Sequence, residues 1–153
     1  MEARLDGRNA VITGGSAGIG KAIAKSFLTS GANVSIVARR SEVLTAAKAE
    51  IEAQGAVTGT SGKVIALSAD IRNSEECEKV IAKTQAAFGH VDVLVNNAGT
   101  SQRGDFLQVS DEIWQDDLNL KLFSAVRLCR LVIPDMRSRK WGRIINVLNL
   151  GAK

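Results

Sequence analysis

Short β-branched runs alternate along this chain with longer segments of helical spacing. Residues 10–13 (AVIT) form an apolar run that stops at a glycine cluster, where the period changes. Ile19, Ala22, Ile23, Phe27 and Leu28 then recur near helical spacing, which predicts a helix over 18–30 with Gly31 as its stop. The alternation repeats. Further strands are predicted at 33–38, 63–68, 91–96 and 143–148. A second helix is predicted from Ser41, as its cap, to about residue 54, with Gly55 as its stop. A third runs from a cap at Asn73 or Ser74 to residue 88, before Gly89. Residues 54–62 (QGAVTGTSG) read as a small, polar loop, long for its place.

Strands alternating with helices imply βαβ units and a parallel sheet. Right-handed crossovers make that sheet doubly wound, with helices on both faces. One domain over 1–153 is expected. The fifth strand is followed by no helix, and a parallel sheet needs both faces covered. The chain therefore reads as the first part of a longer fold. A fourth, long helix is predicted over 111–137. Leu118, Leu120, Leu122, Phe123, Val126, Leu128, Leu131 and Val132 leave it little polar face, so burial on more than one side is expected. One side would cover the sheet and the other would meet a second subunit. Pro134 is expected to kink or loosen its last turns.

Composition narrows the classes. Twenty basic and 16 acidic side chains give a net charge of +4. The excess gathers at Arg127, Arg130, Arg137, Arg139, Lys140 and Arg143. Cations favour a helix C-terminus, so this reads as a solvated helix end rather than a nucleic-acid face. Aromatic residues, at 4%, are too few for stacking platforms. Cys77 and Cys129 stand far apart and form no metal or disulfide pattern. No apolar run approaches a membrane span, and no signal segment is visible, so a cytoplasmic protein is expected.

The first strand–turn–helix carries Thr13-Gly14-x-x-x-Gly18-Ile19-Gly20. Glycines let the backbone approach an anion, and the N–H groups and dipole of a helix start attract it. A dinucleotide suits this place, although a tight turn without ligand has the same glycines. The second strand ends in Ala38-Arg39-Arg40, where a ribose would be read. An acid there would select NAD by accepting from the ribose hydroxyls. Ala38 removes it, and Arg39 and Arg40, with Ser16 as hydroxyl donor, attract a 2′-phosphate. NADP is favoured over NAD, against the alternative of a solvated turn. Asp70 and Ile71 follow the third strand, where a carboxylate would face an adenine amino group. Asn96, Asn97, Ala98 and Gly99 close the fourth strand; they suit packing under a cofactor or, equally, a polar turn. His90 reads as a helix-end residue.

These motifs, with Asn119 and the run Gly142-Arg143-Ile144-Ile145-Asn146-Val147, occur in the order found in the short-chain dehydrogenase/reductase family, which the chain resembles over nearly its whole length. The resemblance implies that the glycine loop binds pyrophosphate, that Asp70 contacts adenine and that Asn96 to Gly99 line the cleft. It places Asn119 in a proton relay. It also implies hydride transfer between a nicotinamide and a small-molecule carbonyl or alcohol substrate, while the apolar pattern of the 111–137 helix is what points to a homo-oligomer. The catalytic part departs from the family. Asn149 stands at the serine position, Lys153 is too early for the family's lysine, and the chain contains no tyrosine. An asparagine amide can still donate to a carbonyl oxygen. The expectation is the cofactor-binding part of an NADP(H)-dependent oxidoreductase. The alternative is a catalytically silent nucleotide-binding or assembly protein.

Overall fold

The computed structural model describes residues 4–59, 62–100 and 105–148. Five parallel strands form one sheet in the order β3-β2-β1-β4-β5. They are β1 (Asn9–Thr13), β2 (Asn33–Ala38), β3 (Val64–Ser68), β4 (Val93–Asn96) and β5 (Arg143–Asn146). Helices α1 (Gly18–Thr29), α2 (Ser41–Thr58) and α3 (Ser74–Phe88) connect the first four. Between β4 and β5 run α4 (Asp111–Leu118), a π-helical turn (Asn119–Phe123) and α5 (Ser124–Ser138). This is the doubly wound Rossmann-type arrangement that the strand–helix alternation predicts.

Side chains alternate across a strand, so each central strand feeds two cores. Ala10 and Ile12 of β1, Val34 and Ile36 of β2, and Val93 and Val95 of β4 pack with Leu28 of α1 and Leu44 and Ile51 of α2. Val11, Val37 and Leu94 point the other way, against Val80 of α3 and Leu128 and Val132 of α5. β1 is buried along its whole length because it lies between β2 and β4. One polar pair sits in the second layer: Thr84 Oγ1 donates to Ser35 Oγ at 2.9 Å, so neither hydroxyl is left unsatisfied.

Four expectations are corrected. Helix α2 does not stop at Gly55; it continues to Thr58 and ends at Gly59, whose φ of 67° is left-handed. Leu44, Ala47, Ile51 and Gly55 form one buried stripe, and that burial outweighs the roughly 1 kcal/mol helix penalty of a glycine. Ser41 is the first helical residue rather than the cap; Arg40 holds the extended cap position. The third helix is capped as expected, with Asn73 Oδ1 accepting from Glu75 N at 2.8 Å. The long helix is irregular at Asn119–Phe123, while Pro134 is accommodated within α5. It is buried along one stripe only, at Leu120, Ser124, Leu128, Val132 and Met136, and α4 buries no residue.

The basic end of α5 is more than a solvated surface. Asp92, fully buried just before β4, receives Arg139 Nη1 at 2.8 Å and Asn9 N at 3.0 Å. Arg139 Nη2 also donates to Val91 O, which pins the end of α5 to the start of β4. His90 Nε2 lies 3.1 Å from Asp92 Oδ2, at this same end of the strand. No helix among the described residues is long and apolar enough to cross a membrane.

At the opposite end of β1 and β4, the Thr13 hydroxyl accepts from Asn97 N at 2.9 Å and Ala98 N at 3.0 Å and donates to Val95 O at 3.2 Å. Thr13→Val keeps the shape and leaves two inward-facing N–H groups without an acceptor. Urea denaturation is expected to show a loss of about 2–4 kcal/mol, from the cost of unsatisfied buried donors.

Candidate cofactor-binding site

A cleft of about 750 Å³ opens over the C-terminal ends of β1, β2 and β4. Parallel α/β sheets place ligands there because strand ends and helix starts converge without a covering layer. Gly14, Ser16, Gly18 and Ile19 form its floor, Arg39, Arg40, Asp70 and Ile71 one end, and Asn97, Ala98 and Gly99 the other. The tertiary structure thus brings together almost every cofactor-binding residue expected from sequence. Gly20 lies beneath the floor. A Cβ there would collide with Gly14 O and, at 2.5 Å, with Asn97 Nδ2, so only glycine lets the start of α1 reach the turn.

The turn is held from below. Gly14 N and Gly15 N donate to Val37 O at 2.8 and 3.2 Å. Asn97 Nδ2 donates to Thr13 O at 3.0 Å and to Gly14 O at 3.4 Å. The start of α1 receives no side-chain cap and no acid in its first turn. Helices α2, α3 and α4 each carry an acid there. The partial positive charge of α1 is therefore left for an anion in the cleft. These features fit a dinucleotide pyrophosphate.

Charge at the other end is asymmetric. Arg39 and Arg40 are exposed at the rim, and neither is in an ion pair among the described residues. Asp70 is the acid of this cleft, and it is engaged: Arg72 Nη2 donates to its Oδ2 at 2.6 Å and Arg72 N to its Oδ1 at 3.1 Å. Arg72 also reaches across to Asp116 of α4, with Nη1 2.7 Å from both carboxylate oxygens. The guanidinium beside Asp70 holds its carboxyl below the usual aspartate range, against a smaller opposing effect of burial. Sequence reading missed Arg72. Its place two residues after Asp70 was visible, but Asp116 is far along the chain.

A second cleft, of about 1090 Å³, adjoins the first and shares Ile19, Asn97, Ala98, Gly99 and Thr100 with it. Its outer wall comes from the π-turn and α5, with Lys121, Leu122, Ser124 and Arg130. Asn119 is not in either lining. Its Oδ1 accepts from Arg127 Nη2 at 3.4 Å, within the helix, because the π-turn sets the register at which side chains leave the helix. Asn149 lies outside the described residues.

A glycine turn at an uncapped helix start, an adjoining arginine pair and the 3-2-1-4-5 sheet place the chain in the doubly wound α/β class. Comparison with known proteins makes this specific. The short chain dehydrogenase family pattern matches residues 8–152, and the chain belongs to that family. It is 35% identical to a short chain dehydrogenase of Pseudocercospora fijiensis over 99% of this chain and 48% of that protein. The crystal structure of L-sorbose reductase from Gluconobacter frateurii, complexed with NADPH and L-sorbose, superposes with a TM-score of 0.87 at 37% identity, covering 95% of this chain and 54% of that one. A metagenomic short-chain oxidoreductase in complex with NADP gives 0.88 at 34% identity, covering 97% and 65%. The chain spans about half the length of the curated relatives it matches.

A lowered Asp70 pKa fixes the sign of a pH effect. The ionised pair with Arg72 stabilises the fold above the ordinary aspartate range and is lost as pH falls through the depressed value. Arg72→Met is expected to return the Asp70 carboxyl towards its ordinary range and to flatten the acid limb of the stability curve. Carboxyl carbon shifts followed against pH check the first, and urea midpoints the second.

Proposed function

We propose that this chain is the cofactor-binding part of an NADP(H)-dependent short-chain oxidoreductase, one unit over 1–153 that serves hydride transfer with a small-molecule carbonyl or alcohol substrate. The observation that carries the reading is the cleft at the β1, β2 and β4 ends, with Arg39 and Arg40 at its rim and Ala38 where an acid would select NAD. Ser16 lines the same cleft and supplies a hydroxyl. Asp70, already neutralised by Arg72, offers little repulsion to an added phosphate. Two similar solved structures hold NADPH and NADP, which supports the same choice. When bound, the nicotinamide supplies the hydride. The residues of this chain bind and orient it: α1 and its turn take the pyrophosphate, Arg39 and Arg40 the 2′-phosphate, and Asn97 keeps the turn in shape.

A second reading, a silent nucleotide-binding or assembly protein, is favoured by Asn149, which stands where the family carries its serine. Turnover of a carbonyl substrate with NADPH by this chain would rule it out. The same unit is proposed to self-associate through Leu118, Leu122 and Phe123, which leave 42%, 50% and 40% of their surface exposed on one segment.

Calorimetry with Arg39→Ala tests the cofactor. NADPH affinity is expected to fall about tenfold to a hundredfold, the worth of a charge-assisted hydrogen bond, with NADH affinity unchanged. Equal losses for both nucleotides would show that Arg39 does not read the phosphate. Sedimentation tests the assembly: Leu122→Lys should lower the sedimentation coefficient to that of a single chain, and an unchanged value refutes this face.

A further inference from the structure

The helical segment after β4 meets the cleft through a residue that motif reading passes over. Lys121 lines the second cleft, two residues beyond Asn119. Its Cε lies 4.0 Å from where a Cβ on Gly99 would stand, so its stem runs alongside the backbone that both clefts share. Its Nζ is held by Asp117, one turn earlier, at 2.8 Å, while the side chain keeps 45% of its surface open. The described lining of the second cleft contains Lys121 and Arg130 and no carboxylate.

The two clefts join at Ile19 and at Asn97 to Thr100. A dinucleotide with its adenosine end by Arg39 and Asp70 and its pyrophosphate over α1 has one way to continue. It passes Gly99 towards the second cleft. We infer that Lys121 is the residue by which the π-turn contacts the nicotinamide end of the bound nucleotide. The inference rests on the NADP(H) reading above. Lys121 stands within the π-turn, with its stem beside Gly99, where the two clefts meet. An ammonium at this place donates to ribose hydroxyls or phosphate oxygens, and Asp117 orients it.

Lysine acetylation of the wild-type chain, followed by mass spectrometry with and without saturating NADPH, tests this. Lys48 and Lys79 serve as internal references, because each is also paired with a glutamate on its own helix and lies away from both clefts. Labelling of Lys121 is expected to slow severalfold on NADPH addition, with Lys48 and Lys79 unchanged. Lys121→Gln should weaken NADPH binding about tenfold, the low end for a hydrogen bond from a charged group, and Lys79→Gln should not. Calorimetric heat with NADPH but no protection of Lys121 overturns this inference and leaves the cofactor reading standing. Equal slowing of all three lysines overturns it too. Absence of heat overturns the cofactor reading and this inference with it.

Discussion

The join between the ends of β1 and β4 carries the rest of the site. Thr13, almost fully buried, places one hydroxyl against three backbone groups of the neighbouring strand end. Asn97 returns the contact, giving its amide hydrogens to the carbonyls of Thr13 and Gly14. The carbonyls of the glycine turn are thereby satisfied from the protein side. Gly14 N and Gly15 N are taken up by Val37 O, so what remains facing the cleft is the uncapped start of α1. A phosphate site of this kind depends on directing one sign of dipole outward, and the Thr13–Asn97 lock does that before any ligand arrives.

The two ends of the sheet are built differently. At the end away from the cleft, a buried carboxylate, Asp92, ties α5 to β4 through Arg139, and Arg8 stacks 3.8 Å above the Trp141 ring. Breaking such a buried pair leaves an uncompensated charge, so this end is held in one arrangement. At the cleft end, charged groups stand at the rim and are exposed, and the walls are loops and helix starts. Rigidity below and open polar groups above is what a recognition site on an α/β sheet requires. Arg72 links the two kinds of element. It spans from Asp70 at the cleft to Asp116 on α4, a helix that buries no side chain of its own.

Local signals were read correctly where one residue type had one physical use. Gly89 stopped α3, Asn73 capped it, and the β-branched runs became strands within a residue or two of their expected ends. Signals failed where tertiary burial competed with local preference. Gly55 carries a helix-stop signature, yet it completes a buried stripe and the helix runs through it. Pro134 carries a kink signature, yet the irregular turn lies at Asn119–Phe123, where no proline or glycine marks it. Arg139 looked like part of a solvated basic patch because its partner, Asp92, is 47 residues distant.

Sequence by itself determined the alternation of strands and helices, and from that the parallel doubly wound sheet. It also determined the glycine turn and the arginine pair after β2, since these are local: adjacent residues, fixed spacing, one strand–turn–helix unit. Only the tertiary structure decided which side chains share a cavity. Arg72 meeting Asp116, Asn97 closing on Thr13 and Lys121 lining the second cleft are matters of register between distant elements. A helical turn with one extra residue redirects every side chain near it, and no composition or periodicity of the chain announces such a turn.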